Sequence, residues 1–167
     1  MRRRKASRTP APDDRAGAKD YALRLLGYRG RSEAEMARRL SRRGYSETTI
    51  EWVVAGLKAD GLLDDVEFAQ AWVASRLAGT PTGRTRLLWE LRRCGVDGEI
   101  ALAAVDEGLD PEVEAEAAWA WARKRVGEAP DRAALRRLQA ALQRRGFGRE
   151  IVRDVMERLT RDSDRSP

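Results

Sequence analysis

Apolar residues recur every three or four positions through most of this chain, with charged residues between them, which is the pattern of amphipathic helices. One version of the pattern occurs three times: an apolar residue, a leucine four positions later, and a glycine four positions after the leucine. The three glycines are 51 residues apart in both intervals, and a fixed period of this length indicates an array of helical repeats. The three sets are Met36, Leu40 and Gly44; Leu87, Leu91 and Gly95; and Leu138, Leu142 and Gly146.

Each set predicts a basic helix that ends near its glycine. Residues four apart lie on the same helix face, so the apolar residue and the leucine can be buried together. A glycine just beyond the last turn accepts the left-handed backbone conformation that terminates a helix. The next residue, Tyr45, Val96 or Phe147, can then pack back onto that helix. Amphipathic segments on both sides predict one helix before and one helix after each basic helix.

The predicted fold is therefore all-α: an elongated tandem array of three three-helix bundles, with about nine helices. The three repeats are predicted at residues 17–64, 65–110 and 111–160. Residues 1–16, a basic N-terminal tail, and residues 161–167 lack periodicity and are expected to be disordered. Helix-capping residues support these boundaries: Ser32 with Glu35 as a capping box, and Ser46, Asp97, Asp110 and Asp131 as single caps.

The composition argues against an enzyme or a metalloprotein. The sequence has no histidine, which removes the commonest general base and the commonest zinc ligand. Its single cysteine, Cys94, cannot form an internal disulfide, which suits a reducing cytoplasm. The carboxylate pair Asp64 and Asp65 precedes an apolar helix, where helix capping is the ordinary role. No apolar run approaches the roughly 20 residues needed to cross a bilayer. We therefore expect a cytoplasmic, monomeric, non-enzymatic protein with no metal, no cofactor and no membrane association.

The distribution of charge is more informative than the net charge of +6, because residues 1–16 alone carry +4. The segments that contain the basic helices, 31–44, 83–95 and 131–146, carry +3, +3 and +4. If equivalent helices line the same side of the array, their arginines form a basic stripe that suits a polyanionic strand or a protein filament. Arginines near helix C-termini also stabilise the helix dipole, so a structural role stays open. The candidate binding residues are Arg38, Arg39, Arg42, Arg43, Arg84, Arg86, Arg92, Arg93, Arg136, Arg137, Arg144 and Arg145.

The tryptophans are the main aromatic candidates for stacking on nucleic-acid bases. Tryptophans at helical spacing are more often core residues, so burial is the favoured prediction. Trp119 and Trp121 are two positions apart and cannot both face inward, so one of them is the better candidate for a contact surface. The five residues are Trp52, Trp72, Trp89, Trp119 and Trp121.

Four blocks of the sequence, in order, resemble the RecX family, whose members regulate the RecA recombinase. The blocks lie at residues 29–45, 63–69, 83–96 and 145–151, and the likeness covers about residues 18–160. The matching motif residues are Arg29, Arg31, Asp65, Phe68, Ala69, Gly83, Leu91, Gly95, Gly146 and Phe147. Three residues depart from the usual family pattern, namely Met36, Val66 and Glu67.

The resemblance implies a function that periodicity alone does not. It implies a regulatory protein that binds RecA, and RecA filaments on single-stranded DNA, with the strand contacted through the filament. It also implies negative modulation of RecA's ATPase, strand exchange and coprotease activities, in DNA repair, recombination and the SOS response. Two other hypotheses remain open: a stand-alone helical nucleic-acid-binding module, from the arginine stripe, and a helical-repeat scaffold for protein interactions, from the array.

Overall fold

The structure is a computed structural model that describes residues 10–126 and 131–164. Those residues form nine α-helices and no strand, which confirms the all-α prediction of three consecutive three-helix units. The helices are α1 (Arg15–Leu26), α2 (Glu33–Arg43), α3 (Glu47–Ala59), α4 (Asp65–Leu77), α5 (Arg84–Cys94), α6 (Gly98–Gly108), α7 (Pro111–Arg123), α8 (Arg132–Arg144) and α9 (Arg149–Asp164).

The first helix begins earlier than predicted. The expectation of disorder over residues 1–16 is wrong for the last residues of that range, because α1 starts at Arg15 and the Asp14 side chain caps it. Ser46 holds the preceding residues: its N–H donates to the Pro12 carbonyl, and its hydroxyl donates to the Asp13 carboxylate. Residues 1–9 of the predicted tail lie outside the described residues.

The last helix extends further than predicted. The expected C-terminal tail began at residue 161, but α9 continues to Asp164. Two i to i+4 ion pairs support its final turns, because Arg153 and Arg161 both pair with Glu157. The remaining part of that predicted tail, residues 165–167, lies outside the described residues.

Most of the predicted helix caps are present. The side chains of Ser32, Asp97, Asp110 and Asp131 each accept a backbone N–H from the first turn of their helix. The three repeat glycines have the expected left-handed conformation, with φ of 102° at Gly44, 88° at Gly95 and 84° at Gly146.

Two capping predictions are not fulfilled. Ser46 stands at the start of α3, but its side chain makes no capping bond; its hydroxyl donates to Asp13. The predicted capping box is half formed: Ser32 caps α2, while the Glu35 carboxylate accepts from Arg29 and Arg31. In both cases the side chain forms its hydrogen bonds with residues outside the predicted cap.

The chain divides into two compact units, whose limits differ from those of the repeats. The first unit comprises Met1–Phe68 and Cys94–Val96, and the second comprises Ala69–Arg93 and Asp97–Pro167. The repeat boundaries at residues 64/65 and 110/111 therefore stay predictions. In the first unit α1, α2 and α3 pack pairwise around a core of Ala18, Ala22, Met36, Leu40, Tyr45, Val53, Leu57 and Leu63.

The second unit contains the corresponding core of the third repeat. Helices α7, α8 and α9 pack pairwise, and their apolar faces meet. Its buried residues are Ala118, Trp121, Ala122, Leu138, Leu142, Phe147, Val152, Val155 and Leu159.

Within the first unit, the N-terminus of α2 binds residues of the following repeat. The Glu33 N–H donates to the Asp65 carboxylate at 2.8 Å. The Ser32 hydroxyl donates to the Cys94 carbonyl at 2.6 Å. A β-carbon at Gly95 would lie 2.4 Å from the Ala34 side chain, so this approach requires glycine.

Within the second unit, the N-terminus of α5 is bound in the same way. The Arg84 N–H donates to the Glu114 carboxylate, and the Gly83 N–H donates to the Arg145 carbonyl, both at 2.9 Å. The Thr85 N–H donates to the Gly146 carbonyl at 3.1 Å. At both junctions a carboxylate from the next repeat accepts an N–H group that begins a middle helix, and at the second junction the carbonyls of the glycine turn accept further N–H groups.

We predict that Gly83→Ala destabilises the protein by about 1–3 kcal/mol, because overpacking would force two backbones apart. A β-carbon at Gly83 would lie 2.4 Å from the backbone of Gly146. The free energy of unfolding in urea measures the effect.

Gly56→Ala is the matched control, since nothing lies within 4 Å of its added β-carbon in α3. Alanine there should stabilise the helix by up to about 1 kcal/mol. Equal stability of Gly83→Ala and the unmodified chain would contradict a tight junction.

Candidate basic binding surface

The four candidate arginines of α2 are all exposed, but most of them already have contacts. Arg38 donates to the Cys94 carbonyl at 2.9 Å, and Arg39 lies 3.9 Å from Glu35. Arg43 lies over the Tyr21 ring at 5.7 Å. The Arg42 side chain makes no hydrogen bond or ion pair with the described residues, so it is available to a ligand.

The four candidate arginines of α5 also include residues that already have contacts and one that is available. Arg84 is half-buried and pairs with Asp106, and Arg86 donates to Glu90 at 2.9 Å. Arg93 lies over the Trp89 ring at 4.7 Å. Arg92 is exposed and makes no side-chain hydrogen bond or ion pair within the described ranges.

The third repeat leaves more of its arginines available. Arg136, Arg137 and Arg144 are exposed, and their side chains have no ionic or hydrogen-bonded partner in the part of the chain that the structure describes. Arg145 is half-buried, donates to the Pro81 carbonyl at 3.0 Å and lies 4.4 Å from the centre of the Trp121 ring. The predicted stripe thus contains both structural and available arginines, and its role in binding stays a prediction.

A groove of about 820 Å³ in the second unit brings some of these arginines together. Four residues of the predicted stripe line it, namely Arg86, Arg137, Arg144 and Arg145. Arg76 and Arg125 also line it, although the repeat pattern did not single them out. The other stripe arginines of this unit do not line it, namely Arg84, Arg92, Arg93 and Arg136.

One carboxylate, Glu90, lies in the lining of this groove. Its oxygens accept from Arg76 at 2.7 Å, from Arg86 at 2.9 Å and from the Trp72 indole at 3.2 Å. Burial acts to raise the pKa of Glu90, but the bonds and charges of these three partners outweigh it, so the pKa lies below its ordinary value. Glu90 is therefore ionised at neutral pH and fixes two arginines.

Positive charge in the groove exceeds what Glu90 can neutralise. The pKa of Arg145 lies below its ordinary value because burial disfavours its charge and Arg125 and Arg86 repel it. Arg125 and Arg145 both lie over the Trp121 ring, at 4.1 and 4.4 Å from its centre. Cation–π contacts of this kind hold guanidinium groups in place without neutralising them.

The tryptophans differ from their predicted burial. Of the five, only Trp121 is buried, whereas Trp52 and Trp89 are 44% and 54% exposed. The prediction of core packing is wrong for these two because arginines cover their rings instead: Arg15 over Trp52 and Arg93 over Trp89. The expectation that Trp119 and Trp121 do not both face inward is confirmed, since Trp121 is buried and Trp119 is only half-buried.

The family-motif residues at the start of the chain hold helices together. Arg31 is 8% exposed and donates to the Leu25 carbonyl at the end of α1 and to Glu35. Arg29 donates to the same carboxylate at 2.6 Å. Leu91, Ala69 and Phe147 are buried, and Gly83, Gly95 and Gly146 form the close approaches of the repeat junctions. These residues therefore hold the helices and the repeat junctions together.

The capping interpretation of Asp64 and Asp65 requires one correction. Asp64 caps α4 as expected, by accepting from the Val66 N–H at 2.7 Å. Asp65 instead caps α2 of the preceding repeat. The pKa of Asp65 lies above its ordinary value, mainly because of burial, with further contributions from the charges of Glu33 and Asp64.

Two important carboxylates were not predicted as site residues: Glu90, which lies in the family block at residues 83–96, and Glu114, which lies in no motif. Both lie on apolar helix faces: Glu90 is three residues after Leu87, and Glu114 is four residues before Ala118. A charged side chain on a buried helix face needs a partner, so the position of these two glutamates among apolar residues is the sequence signal that could have identified them. They are 8% and 6% exposed.

The described residues contain no cluster of metal-ligating side chains. No helix within residues 10–126 and 131–164 is both long and apolar enough to span a bilayer.

Comparisons with known proteins agree with this architecture. Three family models match in order: the first, second and third three-helix domains of RecX, at residues 18–57, 64–105 and 112–156. A protein named Regulatory protein RecX from Amycolatopsis mediterranei (strain U-32) is 38% identical over 87% of this chain and 84% of its own length. Another with that name, from Mycobacterium leprae (strain Br4923), is 38% identical over 83% of each chain.

Solved structures show the same fold. The crystal structure of RecX from Lactobacillus salivarius aligns with a TM-score of 0.78 and 22% identity, over 90% of this chain and 99% of that one. A second crystal structure, of regulatory protein RecX, aligns with a TM-score of 0.74 and 24% identity, over 86% of this chain and 71% of that one.

The fold and the arginine-rich helix ends define a helical-repeat protein of three three-helix domains. The three consecutive domain matches and the relatives at 38% identity show its family. The chain belongs to the RecX family of regulatory proteins.

We predict that Glu90→Gln destabilises the protein by roughly 1–3 kcal/mol at neutral pH, because Arg76 and Arg86 lose an ionised partner. Since folding lowers the pKa of Glu90 from its ordinary value of about 4.5, its stabilising effect is present above about that pH and is lost as the pH falls through the folded-state value. The difference in unfolding free energy between Glu90→Gln and the unmodified chain should therefore shrink on acidification. A difference that stayed constant would show that the charge of Glu90 is not the cause.

Proposed function

We propose that this chain binds RecA, and RecA filaments on single-stranded DNA, and negatively modulates RecA's ATPase, strand exchange and coprotease activities. It does so in the cytoplasm as a monomeric, non-enzymatic regulator without a cofactor. The observation that carries this proposal is the match to all three RecX domains in consecutive order. The relatives that match over most of their length are named regulatory proteins, which supports a regulatory role.

The placement of equivalent arginines supports binding to a filament. Arg42, Arg93 and Arg144 stand two residues before the glycine of their repeats, and all three are exposed. A filament presents the same surface on each subunit, and a repeat protein presents the same helix end in each repeat. Arginine also forms directional, bidentate bonds with carboxylates and phosphates, which favours recognition of an acidic surface.

The proposed mechanism is occupation of a surface rather than chemistry. Electrostatic attraction brings the basic helix ends to an acidic partner and is weakened by salt. Binding over several filament subunits then restricts the motions and contacts that RecA needs for turnover. This mechanism needs no catalytic group in the regulator.

We predict that reversing three charges, in the variant R42E/R93E/R144E, abolishes inhibition of the RecA ATPase on single-stranded DNA. The three residues are exposed, so helicity and melting temperature should stay near those of the unmodified chain. The loss of the Arg93 contact with Trp89 should cost only about 0.5–1 kcal/mol. A titration of the regulator against RecA at stoichiometric ratios measures the inhibition.

The control variant R24E/R132E/R149E changes the net charge equally at three other exposed arginines. It should inhibit RecA as the unmodified chain does. An unmodified chain that leaves the RecA ATPase and strand exchange unchanged would refute the proposed function.

A further inference from the structure

The groove in the second unit contains much more positive than negative charge. Its lining includes six arginines and one carboxylate, so these side chains carry a net charge of +5. The arginines are Arg76, Arg86, Arg125, Arg137, Arg144 and Arg145. Arg137 and Arg144 are exposed and have no hydrogen-bonded or ionic partner among the described residues. Such a concentration of guanidinium groups favours an anionic ligand.

We propose that this groove binds the sugar–phosphate backbone of a single-stranded nucleic acid without reading its base sequence. The proposal goes beyond the regulatory function above, because it requires only this chain and a strand. It assigns a role to Arg76 and Arg125, which lie outside the predicted stripe.

The arrangement of the arginines favours a chain of phosphates over a single anion. They come from four parts of the unit: Arg76 from α4, Arg86 from α5, Arg125 from the turn after α7, and Arg137, Arg144 and Arg145 from α8 and its C-cap. The groove volume of about 820 Å³ is far larger than one phosphate needs. Successive phosphates of a strand can therefore meet arginines from different helices, as in other positively charged grooves that follow a nucleic-acid backbone.

Glu90 does not block these arginines. It accepts one bond each from Arg76 and Arg86, and a guanidinium has five N–H donors. Both arginines are oriented by Glu90 and keep donors for a phosphate oxygen. The pKa of Arg145, lowered by burial and by the charges of Arg125 and Arg86, is consistent with a site whose positive charge a bound anion would relieve.

The aromatic and large apolar residues of the groove argue against base recognition. Trp121 is 6% exposed and lies under Arg125 and Arg145, so its ring is closed to a base. Leu138 is 5% exposed.

The test uses the double variant R137Q/R144Q and the affinity of a short fluorescent oligothymidylate, measured by anisotropy over a range of salt concentrations without RecA. Each lost guanidinium removes a charge-assisted contact, so the affinity should fall about tenfold or more. The slope of log affinity against log salt should fall by about 1.4, for two phosphate contacts to a single strand. Unchanged helicity would show that the variant is folded.

The control variant R132Q/R149Q removes the same charge from two exposed arginines that do not line the groove. Its affinity should stay within about twofold of the unmodified chain. Equal losses in the two variants would overturn the proposal, because net charge alone would then explain binding. Absence of strand binding by the unmodified chain at low salt would also overturn it.

Competition distinguishes the strand from other anions. Unlabelled oligothymidylate should displace the probe far better than polyglutamate or inorganic tripolyphosphate at equal charge. Equal displacement by polyglutamate would indicate an acidic-peptide site, and equal displacement by tripolyphosphate would indicate a free-polyphosphate site; either result would overturn the proposal. The RecA ATPase titration is separate, so failure of the groove proposal and failure of the regulatory proposal give different results.

Discussion

The binding of a glycine turn to the N-terminus of a middle helix is the contact on which the repeat architecture depends. Helix ends leave backbone groups without intrahelical partners. Here two helix ends provide those partners for each other, because N–H groups at the start of α5 donate to carbonyls at the end of α8. The contact is possible only because Gly83 and Gly146 have no side chain. The same constraint sets the position of the neighbouring arginines, since Arg38 and Arg86 each donate to a terminal carbonyl of the following middle helix.

Buried and half-buried carboxylates then hold several of the arginines in structural roles. Glu35 binds Arg29 and Arg31, Glu90 binds Arg76 and Arg86, and Asp65 and Glu114 cap middle helices of the preceding repeat. A buried carboxylate without such partners would be costly, so these pairings follow from burial itself. Other arginines make no side-chain hydrogen bond or ion pair with the described residues, namely Arg42, Arg92, Arg136, Arg137 and Arg144.

The helices, most caps and the repeat glycines could be predicted because each depends on residues within one or two turns. Met36, Leu40 and Gly44, for example, form one local pattern that needs no knowledge of the rest of the chain. The groove could not be predicted in this way, since Arg145 reaches a carbonyl 64 residues away and Arg86 reaches a carbonyl 58 residues away. Exposure of Trp52 and Trp89 was mispredicted for a different reason: an arginine over the ring replaces the core as its partner.

The net charge is a poor guide to where this protein would hold an anion. Of the total of +6, residues 1–16 carry +4, which leaves little excess for the helical repeats. Yet the groove lining alone carries +5 in its charged side chains, and acidic residues elsewhere in the repeats offset that excess. Over distances beyond a Debye length these opposite charges largely cancel, whereas inside the groove the nearest charges dominate. The local arrangement of arginines relative to carboxylates, rather than the overall basicity of the chain, therefore determines both the position and the salt sensitivity of an anion site.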